Sequence, residues 1–425
     1  MKCPIFYVYL LCGPKFPLGV MSWEKVKLGD VTDSCLGKML DQVKNKGEYQ
    51  PYLANVDVRW GSFNLENLSL MRFEASEQER YGLKYGDLVI CEGGEPGRCA
   101  IWKDQIPGMK IQKALHRVRV HDCLDYRYLY YWFLLAGKTG ELEQYFTGAT
   151  IKHMPGEKLK SVIITKPPIE VQRKIADILW VYDDLIENNQ KQIKLLEEAA
   201  QRLYKEWFVD LRFPGHETTP ITGGIPEGWQ YSPLSEVFDF VRGKSYTSKE
   251  LSDTVGVLMA NLKNIRAFGG YKRNAEKRFT GQFKENQTLA AGDVVMGVTD
   301  MTQERRLVGH VALVPDMGEA MTFSMDLIKI IPKLTDKLFV YSALYYGGLS
   351  KQISPLANGV NVLHLKPEAM MGIEMLIPHD AIVRAYHERI SPIIVRIEAL
   401  QKQCDIAAEA RDRLLPKLMN GEIEI

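Results

Sequence analysis

The sequence predicts an α+β protein in which two α/β globular domains alternate with two long helices. Two segments carry apolar residues at heptad spacing, and the segments before them contain short strand-like stretches broken by turns. The second half of the chain also repeats the first, which predicts a pseudo-two-fold internal repeat. With 425 residues, 46% of them hydrophobic, the chain is long enough for two or more domains with sizeable cores.

The first heptad segment follows the Pro167-Pro168 pair. A proline pair suits a helix start, because the N–H groups of the first turn have no partner within the helix. Seam residues at alternating steps of four and three are typical of a long helix that packs on another helix. Asn189 is polar within this seam, so we expect it to fix the register of packing. The seam consists of Ile175, Leu179, Tyr182, Ile186, Asn189, Ile193, Leu196, Ala200, Leu203 and Trp207.

A matching seam follows 211 residues later in the same chain. Two unrelated helices would rarely share their entrance, length and seam phase, so this segment indicates an internal duplication. Asn189 aligns with Leu400, so no buried Asn pair decides between parallel and antiparallel packing. The second seam consists of Tyr386, Ile390, Ile393, Ile397, Leu400, Cys404, Ala407, Arg411, Leu414 and Leu418.

The repeat and the composition divide the chain. The expected segments are an N-terminal extension at 1–20, globular domains at 21–165 and 229–376, long helices at 166–212 and 377–425, and a linker rich in glycine and proline at 213–228. The apolar run in the extension is too short to span a bilayer, and we expect Met21 to be an alternative start. Seven cysteines without a CxxC motif predict a reduced, cytoplasmic setting without a zinc ribbon.

Within the first globular domain, residues 83–90, residues 99–102 and Leu115–Val120 are predicted strands. Residues 125–135 are apolar and aromatic, which fits a buried helix or a buried strand equally well. The framework of the second domain matches the first, whereas the loops differ. Such a pattern favours one scaffold that presents two different recognition surfaces.

Basic residues mixed with aromatic residues mark candidate nucleic-acid loops. The net charge is only +1, so any such surface must be local. Lysine and arginine contact phosphates, and arginine also recognises guanine bidentately; a solvated charged surface is the alternative. In the second domain the candidates are Lys263, Arg266, Lys272, Arg273, Lys277 and Arg278 in the basic loop (residues 263–278), with Arg305 and Arg306 in a later loop. In the first domain they are Lys38, Lys44, Lys46, Arg59, Trp60, Lys110 and Lys113.

The sequence contains no catalytic or metal-binding motif that we can complete. Residues 137–139 end like a P-loop, but Trp132 stands where its first glycine is required. Residues 166–169 lack the amide and the aromatic ring of an Asn-Pro-Pro-Tyr motif and suit a helix entrance. No His/Cys/Asp group has metal-ligand spacing. His153 and His364 match each other in the repeat, and we expect them to have a structural role.

The helix entrances carry a family resemblance. The segments TGATIKHM and ITKPPIEVQRKIADIL in the first copy, and ANGVNVLHL and LIPHDAIVRAYHERI in the second, resemble specificity subunits of type I restriction–modification systems. The similarity covers nearly the whole chain from Met21. The second copy departs from it, with Pro-His-Asp-Ala in place of Pro-Pro-Ile-Glu and Val383 in place of a glutamine.

The resemblance implies two target recognition domains, separated by a long two-helix antiparallel coiled coil that sets the spacer of a bipartite double-stranded DNA target. It also implies docking of two adenine-N6 methyltransferase subunits, joined by restriction and translocase subunits. We therefore expect S-adenosylmethionine, ATP and magnesium on partner subunits, no cofactor or catalysis on this chain, and no contact with a membrane.

Two other hypotheses remain open from the residues alone. The chain could be a coiled-coil assembly scaffold whose globular halves bind proteins, or an enzyme with an unrecognised site. Salt-dependent binding to DNA in the presence of a methyltransferase separates the first from the DNA-recognition hypothesis. Methyl transfer that requires a partner subunit argues against the second.

Overall fold

The computed structural model describes residues 23–41 and 45–425. Lys44 and the expected N-terminal extension lie outside the described residues. The chain divides into two compact units. The first unit comprises Met1–Ile186 and Asp405–Ile425, and the second comprises Glu187–Cys404. Each unit therefore contains one globular domain and a part of each long helix.

The first unit is built around a four-stranded antiparallel sheet in the order β2-β10-β7-β8. In a smaller sheet, β3 pairs antiparallel with β6 and parallel with β9, while β1 pairs with β11 and β4 with β5. The elements are β1 (Glu24–Lys27), β2 (Thr32–Leu36), β3 (Glu48–Leu53), β4 (Val58–Arg59), β5 (Ser62–Phe63), β6 (Leu70–Phe73), α1 (Gln78–Tyr81), β7 (Leu88–Cys91), β8 (Cys99–Ile101), β9 (Lys110–Ile111), β10 (Leu115–Val120), α2 (Tyr126–Thr139), α3 (Gly156–Lys160) and β11 (Ile163–Lys166).

The aromatic segment at 125–135 is a helix. Asp125 caps α2 by accepting hydrogen bonds from the backbone N–H groups of Arg127 and Tyr128, and Gly140 ends it with a φ of 77°. The predicted strand at 83–90 is shorter than expected and comprises only β7. The Asp87 carboxylate accepts a hydrogen bond from the Lys84 backbone N–H at 2.8 Å, which closes a turn before the strand begins.

The second unit repeats this plan. Its four-stranded sheet has the order β15-β24-β20-β22, and its second sheet has the order β16-β18-β17-β23-β19. Strands β14 and β26 pair, as do β12 and β13 in the linker and β21 and β25. The elements are β12 (Ile221–Thr222), β13 (Ile225–Pro226), β14 (Gln230–Pro233), α5 (Leu234–Val237), β15 (Phe238–Arg242), β16 (Leu251–Ser252), β17 (Val257–Ala260), β18 (Lys277–Phe279), β19 (Thr288–Leu289), β20 (Val294–Gly297), β21 (Thr299–Asp300), β22 (Val311–Leu313), β23 (Met321–Phe323), β24 (Leu327–Pro332), α6 (Lys337–Tyr345), α7 (Leu349–Ile353), β25 (Leu363–His364) and β26 (Glu374–Ile377).

The internal repeat extends to individual strands and caps. β2 and β15 begin 206 residues apart, β10 and β24 begin 212 apart, and the capping residues Asp125 and Asp336 are 211 apart. The order of the four-stranded sheet is the same in both units. The additional strands β16 and β19 lie in the second unit, on the sheet that carries the basic loop.

The shared glycine at each helix entrance closes a tight loop. Gly148 and Gly359 have φ values of 92° and 151°, and a Cβ at either position would collide with the carbonyl oxygen of Ile151 or Val362. His153 and His364 close the same loops through backbone hydrogen bonds. The main chain of each histidine therefore contributes to the shape of its loop.

The two long helices are α4 (Ile169–Tyr204) and α8 (Asp380–Met419), which contain 36 and 40 residues. Gln172 fixes the start of α4. It is fully buried, its Nε2 donates to the carbonyl oxygens of Pro167 and Cys123, and its Oε1 accepts from the Asp125 N–H. The matching residue of α8, Val383, is buried among apolar groups instead.

The helices pack antiparallel in each unit. In the first unit the beginning of α4, at Ile175 and Leu179, shares a core with the end of α8, at Leu418. In the second unit the end of α4 packs on the beginning of α8, where the Tyr204 and Tyr386 rings lie 6.2 Å apart. Early residues of one helix thus meet late residues of the other in both units. The expected fold class, including the antiparallel coiled coil, is confirmed.

The seam residues lie on the packed side of these helices. Asn189 is 2% exposed, and its Nδ2 donates to Oε1 of Gln403 at 3.2 Å, so its partner is a glutamine on the other helix. Ile186 is half-buried. The buried apolar members are Ile175, Leu179, Ile193, Ala200, Trp207, Tyr386, Ile390, Ile397, Leu400, Ala407 and Leu418, and the partly buried members packed on a core are Leu196, Leu203, Ile393, Cys404 and Leu414.

None of the helices in the described part of the chain combines the length and the apolar character needed to cross a bilayer.

The burial of Leu400 gives a test of this packing. Leu400 is fully buried beside Ile193 and Ile397, so Leu400→Ala should lower the free energy of unfolding by about 2–5 kcal/mol. The matched control is Leu195→Ala, since Leu195 lies on α4 with 65% of its surface exposed. Denaturant unfolding followed by circular dichroism measures both. Equal small effects of the two variants would contradict the burial of Leu400 between the two helices.

Candidate nucleic-acid interface

Buried amide side chains hold the basic loop in shape. Asn261 and Asn264 are almost fully buried. Asn261 donates to the carbonyl oxygen of Ala275 at 2.7 Å, and Asn264 donates to the carbonyl oxygen of Lys272 and to the Glu276 carboxylate, both at 2.9 Å. These hydrogen bonds fix the backbone from within, so the basic side chains can point outward from a rigid loop.

Three of the predicted cations of the basic loop are exposed: Lys263, Arg266 and Lys272. Together with Lys277 they line a cleft of about 750 Å³. Glu276 also lines this cleft, but its carboxylate accepts hydrogen bonds from the Tyr271 hydroxyl and from Asn264. The cleft is therefore predominantly basic, and its chemistry suits a phosphate or the acceptor edge of a base.

The other cations of the basic loop are engaged within the domain. Arg278 forms a bidentate ion pair with Glu319, at 2.8 and 3.0 Å. Arg273 donates to the carbonyl oxygen of Asp316, and Lys277 donates to the Tyr246 hydroxyl at 2.7 Å. DNA contacts by these three side chains would compete with interactions already present, so we rank them below the exposed cations.

Asp300 organises the loop that carries Arg305 and Arg306, here called the arginine loop (residues 300–308). Asp300 is fully buried. Its carboxylate accepts hydrogen bonds from the backbone N–H and the hydroxyl of Thr302, and from the N–H groups of Leu307 and Val308. Burial acts to raise the pKa of Asp300, but these hydrogen bonds outweigh it, and the pKa lies below its usual value.

The basic loop and the arginine loop meet. The backbone N–H of Phe268 donates to the carbonyl oxygen of Arg306 at 2.7 Å. Phe268 is 58% exposed, and the Arg306 side chain is exposed beside it. The arrangement thus combines exposed cations with an exposed ring, as expected of a surface that contacts a nucleic acid.

Two predicted contacts in the first domain are wrong, because Lys38 and Lys110 are only 3% exposed. The Lys38 ammonium donates to the carbonyl oxygen of Arg72 at 2.8 Å and pairs with the Glu77 carboxylate at 2.5 Å. Lys110 donates to the carbonyl oxygen of Gly108, and burial lowers its pKa. Both ammonium groups satisfy buried acceptors and cannot reach DNA.

Trp60 also has a structural role. Its indole N–H donates to Glu95 at 2.7 Å, and its ring packs against Gly137 so closely that a Cβ there would collide with it. Arg59 is exposed, although one of its guanidinium nitrogens donates to carbonyl groups of its own hairpin. Lys46 and Lys113 are exposed as well. Among the described residues, three of the cations predicted in the first domain therefore lie at the surface: Lys46, Arg59 and Lys113.

The structure adds one pair that the sequence analysis missed. Tyr49 on β3 lies opposite Arg72 on β6, and the guanidinium carbon is 4.8 Å from the centre of the exposed ring. A usable signal was the position of Arg72 between the apolar residues Met71 and Phe73. Pairing Arg72 with Tyr49 requires the register of the two strands, which the sequence alone does not provide.

Across the described residues, no group of three His, Cys, Asp or Glu side chains is placed to hold a metal ion. The described residues form two repeated α/β domains, two antiparallel helices and basic loops held by buried polar groups. These features define a class of two-domain protein whose loops have the chemistry of nucleic-acid recognition.

Comparison with known proteins shows which family the chain resembles. Residues 21–198 match the type I restriction modification DNA specificity domain. Over 362 residues, 80% of this chain and 78% of the relative, the chain is 29% identical to the MjaIX specificity subunit of Methanocaldococcus jannaschii. It is 25% identical to the MjaVIII specificity subunit of the same organism over 417 residues, 95% and 93% of the two chains. Over most of its length the chain is therefore similar to specificity subunits of type I restriction–modification systems.

A solved structure shares the fold. The S subunit of the type I system from M. genitalium superposes with a TM-score of 0.57 at 17% sequence identity, covering 96% of this chain and 99% of the other. The resemblance first seen at the helix entrances is therefore confirmed by sequence and by fold.

The Asp300 carboxylate provides a test of the arginine loop. Asp300→Asn should lower the free energy of unfolding at neutral pH by about 1–3 kcal/mol, because an amide cannot accept all four hydrogen bonds. Folding lowers the pKa of Asp300, so its stabilisation is present above the unfolded value of about 3.9 and is lost as the pH falls through the folded value.

The difference between the parent and Asp300→Asn should therefore shrink in strong acid, as measured by denaturant unfolding at a series of pH values. Asp253→Asn is the control, since Asp253 is exposed in the same domain. A difference that is constant with pH would argue against a charged Asp300 as the anchor.

Proposed function

We propose that this chain is the sequence-specific DNA-binding specificity subunit of a type I complex, in which each recognition domain contacts one half of a bipartite target. The observation that carries this is the meeting of the basic loop and the arginine loop around the exposed side chains of Lys263, Arg266, Lys272 and Arg306. Arginine in such a loop can recognise guanine bidentately, while lysine positions the duplex through its phosphates.

The divergence of the loops supports different half-sites for the two domains. In the second domain the arginine loop is anchored by Asp300, whose counterpart in the first domain is Gly94 in a short turn. The first domain offers Lys46, Arg59 and Lys113 on its own surface, together with the Tyr49–Arg72 pair. One framework thus presents two sets of side chains with different shapes and hydrogen-bonding groups.

The helices supply a surface for partner subunits. Ile178, Val181 and Leu185 are 36%, 60% and 42% exposed and follow one another at steps of three and four on α4. Apolar residues at this spacing form one exposed stripe of a helix. We infer that this stripe contributes to the docking of adenine-N6 methyltransferase subunits, which restriction and translocase subunits then join. S-adenosylmethionine, ATP and magnesium would bind to those partners, in the cytoplasm.

Recognition of one half-site should depend on Arg266. Arg266→Ala, assembled with the methyltransferase subunits, should weaken binding by about 1–3 kcal/mol if a bidentate base contact is lost. The loss of binding should appear on DNA in which the half-site contacted by the second domain is intact. On DNA in which that half-site is already mutated, Arg266→Ala should have no further effect. Binding titrations at fixed salt measure it, with Arg202→Ala as a control, because Arg202 is an exposed arginine on α4. An equal loss on all sequences would identify a phosphate contact instead.

The length of the helices should fix the spacer. Helices of 36 and 40 residues are about 54 and 60 Å long at 1.5 Å per residue. Insertion of one heptad after Asn189 and a matching one after Leu400 keeps both seams in phase and adds about 10 Å. We expect unchanged half-sites and a spacer longer by about three base pairs, since 34 Å corresponds to roughly ten base pairs.

Mapping the methylated adenines produced by the double-insertion variant tests whether the spacer lengthens. Insertion in one helix only is the control, because it should disrupt the packing of the two helices. An active complex that retains the original spacer would mean that the helices do not determine it.

A further inference from the structure

The internal repeat creates a problem of partner choice. Because α4 and α8 share their length and seam phase, each helix could pair with its own copy in a second molecule as well as with the other helix of its own chain. Apolar seams of equal phase do not discriminate between these pairings, so discrimination requires a polar feature.

The first unit contains such a feature. Asp183 on α4 forms an ion pair with Arg411 on α8, and the side chains are 19% and 15% exposed. The Tyr131 hydroxyl donates to the second Asp183 oxygen at 2.6 Å. Arg411 also pairs with Asp412 at 2.9 Å, and the Lys138 ammonium lies 2.5 Å from the same Asp412 carboxylate. The cluster thus connects both long helices with α2.

The charges of the cluster stabilise one another. Burial disfavours the charged form of Arg411, but the nearby charge of Asp183 and the hydrogen bonds to Asp183 and Asp412 outweigh this, so the pKa of Arg411 is raised. Burial likewise opposes the charged form of Asp412, yet hydrogen bonds from Lys138 and Arg411 lower its pKa. Each ionised group therefore depends on its partners.

The corresponding place in the second unit is apolar. The repeat puts Ile394 at the position of Asp183 and Ala200 at the position of Arg411. Ala200 is fully buried in the core of that unit, and Ile394 packs against this core. The counterpart of Tyr131 is the buried Ser342. The two ends of the helical pair are thus equivalent in backbone and different in polarity.

This asymmetry makes like-with-like pairing unfavourable. If α4 packed antiparallel on a second α4 in the same register, each Asp183 would face Ala200. If α8 packed on a second α8, each Arg411 would face Ile394. Both arrangements bury a charge against an apolar side chain, and an unpaired buried charge is far less favourable than a hydrogen-bonded ion pair.

We propose that the Asp183–Arg411 ion pair selects the pairing of α4 with α8 and excludes the like-with-like pairing that would join two copies of this chain through identical helices. The partner that the pair rejects is a second copy of the chain. The inference depends on the repeat and the helical packing and is independent of the DNA contacts proposed above.

The first test replaces the pair by its counterparts in the second unit, Asp183→Ile with Arg411→Ala, in the full chain. After unfolding and refolding, the dimer fraction measured by sedimentation velocity should rise roughly tenfold or more above that of the parent. The control is Asp183→Glu with Arg411→Lys, which keeps an ion pair of the same direction and a cation beside Asp412, and should refold to the same monomer fraction as the parent. A parental monomer fraction in the apolar variant would overturn the proposal, as would equal dimerisation of this control.

The second test does not require the apolar variant to fold. In a chain with only Asp183→Arg, two arginines face each other between α4 and α8. In a chain with only Arg411→Asp, two aspartates face each other at the same place. When the two are refolded together with different fluorescent labels, α4 of one can pair with α8 of the other and restore the ion pair. We expect mixed dimers in clear excess over dimers of identical chains. Mixed and identical dimers in the proportions expected from random pairing would show that the ion pair does not select the partner.

Discussion

The antiparallel packing of α4 on α8 is the interaction on which the rest of the structure depends. In the first unit, Ile175 and Leu179 of α4 join Leu418 of α8 in the core of the globular domain. In the second unit, Trp207 and Tyr386 do the same with the other domain. Neither helix could bury its apolar stripe alone, because a single long helix leaves that stripe in water. Each domain core therefore includes both helices, and disturbance of the seam should reach the recognition domains as well.

The candidate DNA surface depends on a different principle, in which buried polar groups shape exposed loops. Asn264 and Asp300 are fully buried. Asn264 accepts a hydrogen bond from the Asn261 N–H and donates to the Lys272 carbonyl oxygen. Asp300 accepts hydrogen bonds from the backbone N–H groups of Thr302, Leu307 and Val308 in the loop that follows it. Leaving any of these backbone groups unpaired would be unfavourable, so the loop conformation is strongly specified before DNA arrives. The cations then lose little freedom on binding beyond that of their own side chains, and changes in those side chains can alter the target without altering the frame.

The sequence predicted the architecture well because the architecture depends on periodicity and repetition. Heptad spacing located both helices, and the repeat correctly matched His153 with His364, which close equivalent loops through backbone hydrogen bonds. Individual contacts were less predictable. Lys38 and Lys113 look equivalent in the sequence, yet one ammonium is buried beside Glu77 and the other is exposed, because only the strand pairing decides which way each side chain points. Burial of a lysine depends on hydrogen-bond acceptors far away in the chain, which a local sequence pattern does not reveal.

The two copies have retained their backbone frame and diverged in polar contacts. Gln172 fixes the start of α4 with three hydrogen bonds, whereas Val383 fills the same place by apolar packing. Removal of one polar partner is destabilising, but replacement of a whole polar set by apolar groups of suitable shape is close to neutral. A duplicated chain can therefore replace a set of polar partners in one copy, provided that all the partners change together. The consequence is a molecule whose halves have the same fold but differ in the polarity of their interiors and in the side chains of their surfaces.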